Sequence, residues 1–494
     1  MVQFLSRIKL EHWVLVGAVL GILAFQALPG PRPLDDAYIT FRYARNISQG
    51  QGFSYNPGEH VQGTTTPLYT LLLAGLATLL GAQHLVWISF IIALLADVLN
   101  TWLMFRLASR LLGSNMAGLL VAGVFMVQPM RLNVAGGGME TSLFILFLLA
   151  MYERQLLARQ PVQAAVFAAL AILTRIDAVL AVAPVFLYAL STDRRSSLKA
   201  AGLALLLLTP WFAWATYYFG SPIPFSLTAK LAAYQGPDAG LTLIFLAIFL
   251  GTGSVGLYQP IWIIFPGLGT SLILGILGVR RLLGTERRAL AIAAYPLVYY
   301  LVAAFMHVPM FFVWYFLPLM PGLLLMFFSG VLELARLTRS YHSVAQKVLV
   351  SCAAAVLVLA PAILLAWQPG QAAARIPEAG FGLVCQQVQT QVRPGQVVFA
   401  PDIGILGWCL EKARILDPIG LVSPLSLDYM KQRAPGEMIA PAIIFGEKPD
   451  FIIARSQFIT NIKAQPDFAG MYRLLWEYAS PSDPLDLYQV FERR

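Results

Sequence analysis

The chain has 494 residues, of which 58% are hydrophobic and 12% charged, with a net charge of +9. A soluble protein carries about 25% charged residues, so this composition excludes a string of soluble domains. Apolar runs of about 20 residues recur along most of the chain. Only a bilayer accounts for them, and the basic excess then reflects Lys and Arg in loops on one side rather than nucleic-acid binding.

Arg7 and Lys9 precede an apolar segment over 12–28 that is followed by no small-residue cleavage site. It reads as an uncleaved first span with the N-terminus inside. Residues 29–66 then form the first external loop. Within it, Tyr38, Phe41 and Ala44 recur at helical spacing and predict an amphipathic helix on the membrane surface, with Asp35 and Asp36 at its N-terminus. The glycines, Asn56-Pro-Gly-Glu59 and the threonine run Thr64–Thr66 predict a structured loop rich in hydrogen-bonding groups.

Further spans are expected near 85–105, 115–130, 139–154, 161–175, 177–191, 200–219, 257–280, 289–306, 311–335 and 344–367. With the first, that makes about eleven. Arg106 with Arg110, Arg154 with Arg159, Arg194 with Arg195, Arg280 to Arg288, and Arg336 with Lys347 mark the inside loops. The apolar pieces 67–81 and 241–251 are short for a crossing and read as half-helices or membrane-surface helices. Beyond Trp367, strands are expected at 396–400, 413–416, 450–454 and 486–491, and helices at 382–391 and 435–445. The fold class is therefore an α-helical polytopic membrane protein. Residues 1–369 form its transmembrane catalytic domain, and residues 370–494 an extracytoplasmic α/β domain. Cys352 reads as a small residue inside the last span, while Cys385 and Cys409 share the outer domain, either as a disulfide or as two free thiols.

Polar chemistry gathers on the outward side. One aspartate suffices to cap a helix, so the pair Asp35-Asp36 points beyond capping. Glu140 opens a span, where it serves either as a cap or in a site. Arg175 and Asp177 form an opposite-charge pair for which structural pairing is the simpler reading. Lys230, above an apolar surface, is placed to snorkel to headgroups or to grip a phosphate. His307 with Trp314-Tyr315 fits an interfacial aromatic belt. Together these groups suit a lipid-phosphate substrate entering from the bilayer and an acceptor arriving from water. A carboxylate takes the acceptor's hydroxyl proton, and a Lys or Arg stabilises the departing phosphate. No nucleotide-binding or zinc-protease motif occurs. A divalent cation is compatible with several carboxylates, yet no ligand spacing demands a metal or other cofactor. Trp408 and Tyr429 read as core residues or as platforms for sugar stacking.

At these residues the sequence resembles the GT-C superfamily of polyprenyl-phosphate-sugar-dependent glycosyltransferases, whose hallmark is an acidic pair in the first external loop. It is most similar to the branch of mycobacterial terminal β-(1→2)-arabinofuranosyltransferases. The string Asp35-Asp-Ala-Tyr-Ile…Phe41-Arg-Tyr…Asn56-Pro-Gly-Glu59…Thr66-Pro-Leu68 carries that likeness. So do Gly138-Met-Glu-Thr141, Arg175-Ile-Asp177, Tyr217 to Pro224 with Lys230, Trp314-Tyr315, Asp402 to Gly407 and Leu416 to Leu421. The resemblance implies an inverting transfer, with Asp35 as general base, Asp36 as its partner and Glu140 as a second essential acid. It implies donor-phosphate contacts from Lys230, Arg175 and His307. Tyr38, Arg42, Asn56, Glu59, Thr65, Thr66, Asp177 and Tyr315 are expected to line the substrates. The expected partners are a polyprenyl-phosphate sugar, a glycan or lipid acceptor and membrane lipids, for a monomer in a bacterial cytoplasmic membrane. Gln62 departs from the Glu of that branch and leaves the sugar open between arabinofuranose and a hexose such as mannose. A lipid or sugar transporter, for which Asp97 is the main intramembrane group, and a non-catalytic envelope scaffold are the competing readings. No internal repeat or inverted pair of halves supports the transporter.

Overall fold

The structure is a computed structural model that describes residues 17, 20–21, 24, 27–28, 30–233, 244, 246–250, 261–306, 312–338, 376–434, 437–479 and 487–494. The described residues fall into two compact units. One takes them from 1–32, 90–209 and 237–367, the other from 33–89, 210–236 and 368–494.

Helices α1 (Asp35–Ser48), α2 (Pro67–Leu80), α3 (Leu85–Leu112), α4 (Asn115–Met126), α5 (Pro129–Gly136) and α6 (Thr141–Tyr152) follow in order. A π-helical turn, Glu153–Leu157, continues α6. Then come α7 (Pro161–Thr174), α8 (Val179–Thr192), α9 (Arg194–Phe219), α10 (Phe225–Ala233), α11 (Ile261–Thr285), α12 (Leu290–Phe305) and α13 (Met320–Thr338). Five stretches, beginning at Ala82, Arg194, Ile264, Arg287 and Trp314, are helices long and apolar enough to cross a bilayer. The chain is a multi-pass membrane protein.

The expected count of about eleven spans is not reached among the described residues. The segments expected near 115–130, 139–154, 161–175 and 177–191 are helices of 12 to 17 residues, counting the π-helical continuation of α6 and the turn that opens α8. A bilayer needs about 20. Local chemistry sets their ends: Ser114 caps α4 by accepting the Ala117 N–H, and prolines open α5 and α7. The last expected span, 344–367, lies outside the described residues, as does most of the first. Residues 67–81 form α2 as expected, and 241–251 is helical where described.

In the first unit the core is built on α3, α4, α6 to α8 and α11 to α13, with Phe125, Leu149, Ile292 and Leu317 among its buried residues. A side chain added at Gly278 would strike the Met326 carbonyl, and one at Gly330 the Leu274 carbonyl. These glycines let α11 and α13 touch backbone to backbone, the close packing that lipid-embedded helices rely on.

The second unit holds a five-stranded sheet in the order β2-β1-β3-β5-β4. β1 (Val397–Phe399) pairs in parallel with β2 (Arg414–Leu416) and β3 (Phe451–Arg455). β5 (Leu487–Arg493) runs antiparallel to β3 and to β4 (Tyr472–Ala479). α14 (Ile376–Val388) and α15 (Ile403–Cys409) belong to this layer. The four expected strands are present within two residues of their expected starts. Helix 382–391 lies earlier, at Ile376–Val388, and helix 435–445 later, at Ala442–Glu447. β4 was not expected.

Placement of α1 differs most from expectation. It is not a membrane-surface helix, because Ile39 and Tyr43 join the core formed by Val398, Ile403, Ile415 and Val490. Every residue from Ile39 to Asn46 is buried. Arg42 explains why a helix with a charged middle can be enclosed. Fully buried, its guanidinium donates to the carbonyls of Tyr55 (2.8 Å), Ala413 (3.0 Å) and Gly407 and lies over the Tyr55 ring at 4.4 Å. Cys385 and Cys409 are joined in a disulfide that links α14 to α15. The chain-entropy contribution of closing such a loop is about 3 kcal/mol.

Arg42→Ala should therefore lower stability by at least about 3 kcal/mol, since it strands several buried carbonyls and leaves a cavity. Arg42→Lys should rescue little, because an ammonium cannot reproduce the fork. Thermal unfolding in detergent, followed by tryptophan fluorescence, measures both; an unchanged transition in the Lys variant would contradict the assignment.

Candidate active site

Asp35 and Asp36 occupy the first turn of α1, where acidic side chains complement the helix dipole, yet neither caps it. The N-cap is Leu34, which makes no side-chain cap hydrogen bond. The Asp35 carboxylate instead accepts the N–H groups of Gly404 (3.0 Å) and Ile405 (2.7 Å) at the start of α15. A side chain at Gly404 would run into the Asp35 backbone carbonyl, so that approach requires glycine. Asp402 stands beside them, held by Arg455 through paired bonds of 3.1 and 2.9 Å.

Burial pushes the Asp35 carboxyl up to about 8, with the Asp402 charge adding to the shift and the two backbone donors opposing it. Burial also raises Asp36, while the Lys230 ammonium of α10 pulls it back down. Asp36 makes no side-chain hydrogen bond among the described residues, so its two oxygens remain available. Asp35 keeps further lone pairs beyond the two backbone contacts. Two carboxyls and a lysine thus share one corner of the second unit, with a depressed tendency to ionise at Asp35.

The other expected first-loop residues make contacts within the protein. Asn56 exchanges hydrogen bonds with the backbone of Ile415, both at 3.0 Å. Glu59 pairs with Arg414 at 2.6 Å. These contacts, with those of Arg42, seat the loop on β2 rather than present the residues to a ligand. Thr66 bonds Thr64 at 3.0 Å, and Thr65 is half-buried. Tyr38 packs on Phe41 and Trp408, and Trp408 carries the Arg45 guanidinium at 4.3 Å. Tyr429 donates to Glu447. Neither Trp408 nor Tyr429 is a bare stacking platform.

A second constellation lies in the first unit. Glu140, before α6, accepts from Arg175 at 3.2 Å. Arg175, after α7, also grips Asp177 through bonds of 3.0 and 2.8 Å, and Tyr299 of α12 donates to Asp177 at 3.3 Å. The Arg175 guanidinium faces the rings of Phe144 and Tyr315, each at 5.3 Å. Residues expected from three places in the chain, Glu140, the pair Arg175 and Asp177, and Tyr315, are therefore brought together. His307 lies outside the described residues.

Sequence reasoning did not single out Tyr299, Arg455, or Asp402 in its charged role. Tyr299 sat unmarked inside an apolar span, and the Asp402–Arg455 pair joins residues 53 apart in the chain. Asp417 was likewise noted only within a motif. Fully buried, it accepts the N–H groups of Ile419 and Val422 and organises the turn after β2, and burial raises it to about 6.

The fold is shared with ArnT and is the GT-C fold. Crystal structures of ArnT from Cupriavidus metallidurans superpose along nearly the whole chain. The undecaprenyl phosphate-bound form gives a TM-score of 0.54 at 13% identity, covering 98% of each chain. The apo form gives 0.57 at 14% identity, covering 97% of this chain and 98% of ArnT. Terminal beta-(1->2)-arabinofuranosyltransferase of Mycobacterium tuberculosis is 25% identical over 163 residues, 32% of this chain and 26% of that protein. The chain thus matches about a quarter of the length of that relative. A family model for a domain of unknown function (DUF8728) matches residues 372–491.

The raised Asp35 carboxyl carries a pH signature. A folded-state value above the ordinary carboxylate value means that the folded protein holds a proton the unfolded chain has released, so stability falls as pH climbs toward about 8 and levels off above it. Asp35→Asn removes this loss. Its unfolding temperature relative to the wild type should rise steadily from pH 5 to 8 and then plateau; a constant difference would mean that Asp35 ionises normally.

Proposed function

We propose that the chain is a membrane glycosyltransferase that moves a sugar from a polyprenyl-phosphate donor to a cell-envelope glycan, lipid or protein on the outer face of a bacterial cytoplasmic membrane. The observation that carries the reading is Asp35: a carboxyl of raised basicity, held on the start of α15, with Asp36 and Lys230 beside it. The acceptor hydroxyl attacks the anomeric carbon and gives its proton to Asp35. The bond from that carbon to the phosphate oxygen breaks with inversion, and the phosphate leaves with the electron pair. Lys230 offsets the charge that develops on it. A base near pH 8 in strength suits abstraction from an alcohol better than an ordinary carboxylate does.

We assign the phosphate to Lys230, beside Asp36, and leave Arg175 to hold Glu140 and Asp177. Glu140 and Asp177 instead suit hydrogen bonds to sugar hydroxyls. Support for the donor class comes from the likeness to ArnT, crystallised with undecaprenyl phosphate. Support for arabinofuranose comes from the mycobacterial relative and the first-loop string. A transporter reading would rest on Asp97, but that residue is closed in an ion pair with Arg131 at 3.0 Å.

Purified protein with polyprenyl-phosphate arabinose, polyprenyl-phosphate mannose and a synthetic acceptor panel tests the proposal. One donor should yield product, and Asp35→Asn should cut turnover by 10²–10⁴-fold. Full turnover in that variant would remove Asp35 as the base. Lys230→Ala should weaken donor binding more than acceptor binding; equal loss of both would make the lysine structural.

A further inference from the structure

The first unit has a further feature that combines an apolar groove with a basic mouth. The groove, a cavity of about 250 Å³, runs between α7, α8 and α9 and is lined by small or apolar side chains such as Ala164, Ala168, Val185, Ala204 and Leu208. Gln155, Pro161, Ala189 and Ser197 also line a more polar cavity of about 320 Å³, so the groove opens into it. Arg159 and Arg288 stand at that mouth. Arg288 further lines a cavity of about 410 Å³ with Arg106 and Arg110.

The charges here are unbalanced. Arg106 and Arg154 pair with Glu153, and Arg288 pairs with Glu286 while donating to the Leu156 carbonyl. Asp193 is used by the Ser196 N–H. Arg110 and Arg159 are exposed and have neither an ion pair nor a side-chain hydrogen bond among the described residues. From Ser197 to Leu208 the groove follows α9 for ~16 Å at the helical rise. That matches half the hydrocarbon thickness of a bilayer, about 15 Å. α7 starts at the mouth and ends at Thr174, so the basic end lies a full helix, ~21 Å, from Arg175.

We propose that this groove and its mouth form a binding site for an anionic phospholipid, one acyl chain lying along α9 and the phosphate between Arg159, Arg288 and Arg110. Its depth and chemistry follow the profile of a single leaflet, apolar along the helices and basic at the headgroup level. Basic pockets between membrane helices take anionic headgroups by this complementarity. The site is separate from the Glu140–Arg175 cluster of the same unit and needs no role in sugar transfer.

Native mass spectrometry of the full-length protein in detergent tests it, with dioleoyl phosphatidylglycerol and dioleoyl phosphatidylcholine titrated in parallel. The phosphatidylglycerol adduct should appear at a concentration at least fivefold lower. Arg110→Gln with Arg159→Gln, two exposed positions free of structural bonds, should bring the two lipids to parity. Ala204→Phe, which fills the groove, should reduce phosphatidylglycerol retention in a monodisperse protein, whereas Arg473→Gln in the other unit should change nothing. Equal binding of both lipids by the wild type, or a preference that survives the double substitution, would overturn the proposal. So would complete displacement by millimolar inorganic phosphate, which would make this a small-anion pocket.

Discussion

One enclosed guanidinium holds the second unit together. Arg42 joins three stretches of backbone, at Tyr55, at Gly407 and at Ala413, through one side chain. An arginine can do this because its donors form a rigid planar fork and its charge is delocalised over a face that stacks on Tyr55. Burying it is tolerable only because those carbonyls replace the lost water. With the helix so anchored, Asp35 meets the Gly404 and Ile405 N–H groups and is drawn into the low-dielectric setting that raises it. The basicity of the proposed catalytic group is thus a consequence of packing several residues away.

The carboxylates in the two units are held by different partners. Asp35 has backbone donors and a neighbouring acid but no counter-cation, so it favours its protonated form. Glu140 and Asp177 are bound to Arg175, and Tyr299 adds a donor to Asp177.

Much of this was legible in the sequence where the cause was local. The helix at Asp35 follows from spacing, the strands from apolar runs bounded by turn residues, and the short α2 from its length. The helix was misplaced because periodicity reports only a helix's own apolar face, and nothing near Arg42 in sequence announces carbonyls more than 360 residues later. Strand β4 was missed because Arg473, Leu474 and Glu477 are exposed on an edge strand, where alternation carries little signal. The gathering of Glu140, Arg175, Asp177 and Tyr315 could be suspected from their shared side of the membrane. The aromatic and hydroxyl partners inside apolar spans, such as Tyr299, could not.

The second unit draws on three separated stretches of chain, and that has a consequence for biogenesis. Arg42 leaves the ribosome long before Gly407 and Ala413, whose carbonyls lie 365 and 371 residues downstream. At about 5–20 residues per second, α1 waits roughly 20–70 s for the surface that will enclose it. Throughout that interval the helix has its nearby partners at Tyr55 and Val61 but not the carbonyls of Gly407 and Ala413, so folding factors have their longest opportunity at this segment.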